Sequence, residues 1–129
     1  VLPSRGEGWG RPHMEAMSMG LPVIATNWSG STDFLSDSCT LPLRIDGLVD
    51  VEKGNGPAGH RWASPSVSHL RTLMRWVVEN RQEAQALGER ARQETLERFS
   101  PGVVARAHVL PQLRRIARRL RSKRDVLEL

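Results

Sequence analysis

The apolar residues of the chain change their spacing near its middle. In the first half LPVIA at 21–25 is a short continuous run, and Val1-Leu2 resembles the end of another. CTLPLRI at 39–45, which is largely apolar, predicts a further strand. Such runs are typical of strands buried on both faces of a parallel sheet. Between them a short helix is predicted from Pro12 to Gly20, because proline favours the first helical turn and glycine the C-terminal stop.

The polar segments of the first half predict loops and short elements. STDFL, residues 31–35, predicts a short helix with Ser31 or Thr32 as its N-cap. Residues 46–59, rich in glycine and charge, predict an exposed loop or insertion, and RWA at 61–63 predicts a last short strand. The alternation of strand, loop and helix indicates an α/β layer with a parallel sheet.

The second half is predicted to be helical. One helix is expected to begin near Ser64, a second to span about 82–99, and a third to follow the SPG at 100–102, with Pro111 kinking or interrupting it. Each has its own apolar positions. In the first helix they are Val67, Leu70, Leu73, Met74, Val77 and Val78, and in the second Ala84, Leu87, Gly88, Ala91, Thr95 and Phe99. The small residues of the second helix suit close packing.

Charge is distributed unevenly over the 129 residues, whose formal net charge is +5. Residues 1–97 contain 10 basic and 12 acidic residues, whereas residues 98–124 contain nine basic residues and no acidic one. The basic character therefore belongs to the tail, and no nucleic-acid partner is predicted for the fold. The single cysteine, Cys39, excludes an intrachain disulfide. The chain begins directly in an apolar run, so we interpret it as a piece of a longer polypeptide.

The basic tail has two interpretations. Arg114, Arg118 and Arg121 recur at helical spacing, with Leu113, Ala117 and Leu120 each directly before one of them. Such a helix could bind an anionic membrane surface. It could equally be a solvated face of a terminal helix, which is the interpretation that we favour.

The stretch RGEGWGRPHMEAMSMGLPVIATNWSG, residues 5–30, carries the candidate chemistry. A glycine loop between a buried strand and a helix start exposes backbone N–H groups, to which the helix adds partial positive charge, and so suits an anion or sugar hydroxyls. Glu7 in the loop and Glu15 in the helix, with seven residues between them, could line one crevice and accept hydrogen bonds from vicinal diols. The alternative is that Glu7 is solvated and Glu15 only a favourable charge near the helix N-terminus.

Other kinds of site fit less well. Gly6, Gly8 and Gly10 lack the order of a dinucleotide fingerprint, and no Walker A loop is present. The four histidines are dispersed without metal or triad spacing, so no metal site is predicted. A glycoside hydrolase also uses paired carboxylates, but it needs them across a scissile bond with one acting as the acid, whereas these glutamates adjoin a glycine loop.

The segment PSRGEGWGRPHMEAMSMGLPVIATNWSG resembles the signature of the family-four retaining glycosyltransferases, which have the GT-B fold. It shares two glutamates with seven residues between them, a Gly-aromatic-Gly after the first, and EAM and GLPVIAT at and after the second. GHRWASPSVSHLRTLMRWVVENR and RFSPGVVA are similar to later parts of the same C-terminal domain, so the resemblance covers about residues 1–108. It implies an α/β fold: a Rossmann-like parallel sheet with flanking helices, the incomplete C-terminal half of a GT-B fold with a helical C-terminus. Residues 1–100 would be part of the nucleotide-sugar-binding domain and 101–129 the terminal helix and basic tail.

The resemblance also implies roles for single residues. Glu7 matches the glutamate that contacts hydroxyls of the donor hexose and is the leading candidate to contribute to catalysis, although no residue is assigned as catalytic. Gly8, Trp9 and Gly10 match the loop whose amides cradle sugar and phosphate, and Glu15 matches the residue that holds the ribose. Trp9 replaces the usual phenylalanine. These five residues form the expected donor-binding set.

Three further residues belong to this set with weaker support. Arg11 replaces an aliphatic residue, and either adds a cation near the phosphates or forms a salt bridge outside the site; we favour the second. Ser29 and Gly30, after VIAT, are expected to offer hydroxyl and amide contacts to the donor.

The activity implied is retaining transfer of a hexose from a nucleotide diphosphate sugar to an unidentified glycan, lipid or protein acceptor, without a metal ion or cofactor. The acceptor site and the basic pair that grips the diphosphate would lie in an N-terminal half of the same polypeptide, so these residues alone are expected to be inactive. A location in the cytoplasm or on the cytoplasmic face of a membrane is expected. The alternative is a non-catalytic sugar-nucleotide-binding or scaffold protein of the same fold.

Overall fold

The computed structural model describes residues 1–51 and 59–127, and the side chains of these as far as Arg121. The chain divides into two compact units, Val1–Glu94 and Thr95–Leu129, and the boundary falls within one long helix. The first unit contains every residue of the expected donor site.

A small parallel sheet lies at the centre of the first unit. Strand β1 (Ile24–Thr26) pairs in parallel with β2 (Leu41–Leu43), and Leu2 forms an isolated parallel bridge to Ala25 on the other side of β1. Helix α1 (Arg11–Ser18) connects the Leu2 segment to β1. All three residues of β1 are buried, as expected for a strand covered on both faces. The predicted parallel α/β arrangement is confirmed.

A second sheet corrects the predicted loop at 46–59. Strand β3 (Ile45–Asp50) pairs antiparallel with β4 (Arg61–Pro65), with Val49 opposite Trp62. Residues 52–58 of the predicted loop lie outside the described residues. The glycines and acidic residues of this segment are uncommon in strands, so the sequence alone predicts a loop. Antiparallel pairing depends on the distant partner strand as much as on local propensity. The short strand predicted at RWA is confirmed and is two residues longer.

Two helices follow the second sheet. Helix α2 (Val67–Glu79) begins after Ser66, not at Ser64, because β4 continues to Pro65. Helix α3 (Arg81–Phe99) matches the prediction to within one residue. Its predicted small-residue face is confirmed in the first unit, where four members are buried: Ala84, Leu87, Gly88 and Ala91. The apolar positions of α2 are only partly covered, since Val67, Met74 and Val78 are exposed.

The second unit continues as one helical run with a local defect. Helix α4 (Pro101–Val104) begins after Ser100, passes into a π-helical segment at Ala105–Val109, and continues as α5 (Leu110–Leu127). Pro111 lacks an N–H, and its ring crowds the carbonyl four residues earlier, which lies inside the π-helical segment. The predicted interruption is therefore confirmed, and it is located before the proline. Within the described part of the chain no helix is both long and apolar enough to cross a membrane.

Candidate glycine-loop site

The glycine loop, residues 6–10, leads directly into α1. Its preceding residue, Arg5, is tied to the second sheet, because its carbonyl oxygen accepts a hydrogen bond from the Ala63 N–H at 3.0 Å. The end of the loop is Gly10, the N-cap residue of α1, with φ of 102°. A side chain is strained at that φ, so glycine is required where the loop turns into the helix.

Three nitrogen atoms lie within hydrogen-bonding distance of the Gly10 carbonyl oxygen. The backbone N–H groups of His13 and Met14 donate to it at 3.1 and 3.2 Å. The His13 Nδ1 lies 3.2 Å from the same oxygen, which fixes the tautomer with the proton on Nδ1. His13 is 2% exposed, and among the described residues its buried Nε2 has no hydrogen-bond partner. The histidine on the first turn of α1 therefore holds the end of the glycine loop.

Aromatic rings support the loop from below. The centroid of the Trp9 ring lies 5.5 Å from that of the buried Phe34 ring, and the centroid of the His13 ring lies 5.9 Å from it. Both pairs are tilted and not stacked face to face, as aromatic pairs prefer. Phe34 follows the short 3₁₀ helix Ser29–Asp33. Trp9 is 36% exposed, so part of its ring remains open to solvent beside the glycine amides.

The 3₁₀ helix corrects the prediction of its cap. Trp28 occupies the N-cap position, and the predicted caps instead donate to carbonyl oxygens: the Ser31 hydroxyl to Thr26 at 2.8 Å, and the Thr32 hydroxyl to Ser29 at 2.7 Å. Because a helix N-terminus leaves N–H groups unsatisfied, a cap must accept hydrogen bonds there, and these two hydroxyls do not. The buried Ser31 hydroxyl ties this turn to the end of β1.

Ser29 and Gly30 contact the loop itself. The Ser29 hydroxyl donates to the Glu7 carbonyl oxygen at 2.7 Å, and the Gly30 N–H donates to the same oxygen at 3.0 Å. The Glu7 N–H also lies 3.4 Å from the Ser29 Oγ. The hydroxyl and the amide that the sequence assigns to donor contacts are thus engaged with the backbone of the glycine loop.

The second expected carboxylate lies on the surface of α1. Glu15 is paired with Arg11, four residues earlier, with 3.6 Å between the guanidinium and a carboxylate oxygen. The side chains are 68% and 87% exposed, so both remain available to a ligand. Glu7, in the loop, is half-buried. The site residues therefore form two separate sets of contacts: Ser29 and Gly30 bond to the Glu7 backbone, and Arg11 pairs with Glu15. Gly10 and His13 lie between Glu7 and Glu15 in the chain.

Two supporting residues have no role in the sequence-based assignment. His13 is interpreted from sequence only as a core or surface histidine, and Phe34 only as part of a short helix. The signal available for His13 is its position three residues after a glycine at a predicted helix start, where a side chain can reach back to the N-cap carbonyl. Nothing local in the sequence marks Phe34 as the ring beneath Trp9.

In residues 1–51 and 59–127 no cluster of three or more histidine, cysteine or carboxylate side chains is arranged to hold a metal ion. Around the glycine loop the structure offers backbone amides, the carboxylates of Glu7 and Glu15, the guanidinium of Arg11 and the partly exposed indole ring of Trp9.

Comparison with known proteins locates this site in a family. The family described as "Glycosyl transferases group 1" matches residues 1–53, which include the whole glycine loop, α1 and the Ser29–Gly30 turn. The chain is also similar to the sulfoquinovosyl transferase SQD2 of Arabidopsis thaliana, with 30% identity over 95 residues. That match covers 74% of this chain and 16% of the length of the plant protein. Residues 1–53 are therefore similar to the group 1 glycosyltransferases, and the small parallel sheet with its flanking helices is consistent with part of a GT-B, Rossmann-like fold.

Proposed function

We propose that this chain supplies the donor-binding site of a retaining hexosyltransferase that uses a nucleotide diphosphate sugar. The observation that carries the proposal is the geometry of the glycine loop within the family segment. The loop meets α1 at a left-handed glycine, leaves Gly6 and Gly8 without side chains or crowding above them, and has one glutamate within it and one on the first turns of the helix.

The chemistry of such a donor accounts for each part of the site. The diphosphate carries negative charge, which suits the backbone amides of the loop and the N-terminal end of α1. The ribose and hexose both present hydroxyl groups, which suit the carboxylates of Glu15 and Glu7. In this proposal Gly8, Trp9 and Gly10 cradle the sugar and phosphates, and Arg11 stays paired with Glu15 outside the phosphate site.

The reaction is proposed to proceed without a metal ion or cofactor bound by this chain. Stabilisation of the departing diphosphate would come from amides and from basic residues in an N-terminal half of the same polypeptide, which would also hold the acceptor. The name of the plant relative indicates a sulfonated hexose, sulfoquinovose, as one sugar to include among the donors tested. A cytoplasmic or cytoplasmic-face location is part of the same proposal.

Titration calorimetry of the longest natural polypeptide that contains these residues tests the proposal. UDP-glucose, UDP-sulfoquinovose, GDP-mannose and ADP-glucose serve as donors, with UDP, GDP and ADP as the free nucleotides. Glu15→Ala is expected to weaken donors and free nucleotides alike, whereas Glu7→Ala is expected to weaken only the donors. Glu79→Ala, which alters an exposed carboxylate at the end of α2, is the matched control.

This titration, together with an assay for sugar transfer, separates the glycosyltransferase from the non-catalytic binding protein. Donor binding with no transfer to any acceptor would favour the non-catalytic binding protein. Equal affinities in wild type, Glu7→Ala and Glu15→Ala would refute the donor site. Where transfer is detected, the anomeric configuration of the product by NMR decides between retention and inversion.

The exposed face of α5 supports a second partner, an anionic membrane surface. Leu113, Ile116 and Leu120 are 55%, 51% and 63% exposed and follow helical spacing. Five exposed arginines flank them, namely Arg114, Arg115, Arg118, Arg119 and Arg121. A fully solvated helix gains nothing from three large exposed apolar side chains, whereas a helix lying in a membrane interface buries them.

Co-sedimentation with vesicles tests this contact. Binding to vesicles containing phosphatidylglycerol, but not to pure phosphatidylcholine vesicles, is expected for the wild type. The triple change Arg114→Ala, Arg118→Ala and Arg121→Ala is expected to abolish it. Binding that is equal for both vesicle types, or absent, would leave α5 as a solvated or protein-covered helix.

A further inference from the structure

Ser29 holds the backbone of Glu7 at both of its polar groups. Its hydroxyl donates to the Glu7 carbonyl oxygen at 2.7 Å, and its oxygen lies 3.4 Å from the Glu7 N–H. The two residues are 22 positions apart in the chain, so this contact joins the glycine loop to the turn that follows β1. The N–H group and the carbonyl oxygen of Glu7 are therefore both bonded to the Ser29 hydroxyl.

The backbone of Ser29 has an energetically unfavourable conformation. Ser29 has φ of 67°, the only positive φ of a non-glycine residue in the described part of the chain. The left-handed region is unfavourable for residues with a Cβ, and a glycine would adopt it freely. Strained residues persist where the surrounding structure requires them, and they cluster at functional sites.

A purely structural explanation accounts for only part of this arrangement. The adjacent Gly30 N–H already donates to the Glu7 carbonyl oxygen at 3.0 Å, so that oxygen has a partner without the serine hydroxyl. What the hydroxyl adds is the contact with the N–H side of Glu7 and a second bond to its carbonyl. Together these restrict rotation of the Glu7 backbone and hence the direction of its side chain.

We infer that Ser29 is a positioning residue that orients the Glu7 carboxylate toward the donor sugar, rather than a residue that contacts the donor. The inference rests on the proposed function, in which Glu7 binds hexose hydroxyls. Ser29 then acts entirely through Glu7. Its removal matters for the sugar moiety and not for the nucleotide moiety of the donor.

Substitutions at Ser29 separate positioning from folding. Ser29→Gly removes the hydroxyl and also the steric strain, so the melting temperature is expected to stay the same or rise. Its affinity for UDP-glucose, GDP-mannose or ADP-glucose, whichever binds the wild type, is expected to fall roughly tenfold, as for a lost hydrogen bond that fixes a ligand-binding group. Affinity for the matching free nucleotide is expected to stay unchanged.

A double-mutant cycle tests whether Ser29 acts through Glu7. In the Glu7→Ala background, Ser29→Gly is expected to cause no further loss of donor affinity. Ser29→Ala keeps the strain and removes the hydroxyl, and is expected to weaken the donor like Ser29→Gly. Thr32→Ala is the matched control, because it deletes a hydroxyl of the same 3₁₀ helix that donates to the Ser29 carbonyl oxygen.

The possible results are distinguishable. An additive loss in the double variant would show that Ser29 contacts the donor itself and would overturn the inference. Full donor affinity in Ser29→Gly, together with a loss in Glu7→Ala, would overturn the inference alone. Full affinity in a folded Glu7→Ala variant would overturn the proposed function and this inference with it.

Discussion

Gly30 packs directly against the backbone of Gly8. A methyl group on Gly30 would lie 2.1 Å from the Gly8 carbonyl oxygen and 2.9 Å from the Glu7 carbonyl oxygen. Backbone atoms cannot swing aside as the end of a flexible side chain can, so the loop would have to move. The turn after β1 and the glycine loop are therefore held together by close backbone approach as well as by hydrogen bonds.

Gly30→Ala is expected to destabilise the chain and to weaken donor binding. The loss in unfolding free energy should be about 1–3 kcal/mol, as for an overpacked site that must shift its backbone. Gly6→Ala, in the glycine loop that Gly30 packs against, is the matched control, because a Cβ there meets nothing within 4 Å. Urea denaturation measures both variants, and equal midpoints would contradict the close packing.

Phe34→Ala is expected to be among the most damaging single changes in the first unit. Phe34 is 1% exposed and lies beneath the Trp9 and His13 rings, so its truncation leaves a cavity under the glycine loop. The expected cost is about 3–5 kcal/mol. Thermal or urea unfolding measures it. Val67→Ala, at an exposed position, should stay within about 0.5 kcal/mol of wild type, and a similar result for Phe34→Ala would rule out the supporting role.

Gly88→Ala is expected to separate α3 from the turn after α1. A Cβ at position 88 would lie 2.1 Å from the Gly20 carbonyl oxygen, although alanine is intrinsically the better helix former. Overpacking should outweigh the gain in helix propensity and lower the unfolding free energy by about 1–3 kcal/mol. Gln85→Ala on the exposed side of the same helix provides the comparison. A stabilised Gly88→Ala variant would show that α3 does not pack this closely.

Arg11→Ala is expected to have little effect on stability. The pair with Glu15 is largely exposed and spans one helical turn, so it contributes only about 0.3–0.5 kcal/mol. If Arg11 lies outside the phosphate site, as proposed, affinity for the free nucleotide diphosphate should also stay close to that of wild type. Calorimetric titration measures this affinity. A tenfold or larger loss would instead place the guanidinium on the phosphates.

The 129 residues by themselves are expected to transfer no sugar. In the proposed function the acceptor site and further diphosphate contacts lie in an N-terminal half of the polypeptide. A radiolabelled-donor assay with the chain and its Glu7→Ala variant tests this directly. If the chain transfers more sugar than its Glu7→Ala variant, these 129 residues already form a complete active site.

The sequence by itself determined the elements whose signals are local. Continuous apolar runs predicted the parallel strands, Pro12 and Gly20 bracketed α1, and the small residues of α3 predicted its buried face. The two glutamates and the glycine loop also identified the candidate site and its family, because spacing along the chain preserves that pattern. These features depend on neighbouring residues, so they can be read before folding is considered.

Only the tertiary structure decided the features that join distant parts of the chain. The pairing of β3 with β4 turned a predicted loop into a sheet, and Phe34 came to lie under Trp9. Ser29 and Gly30, expected to face the donor, were found bonded to the Glu7 backbone. Each result depends on which atoms approach one another across more than ten residues of sequence, and neither periodicity nor residue type specifies such approaches.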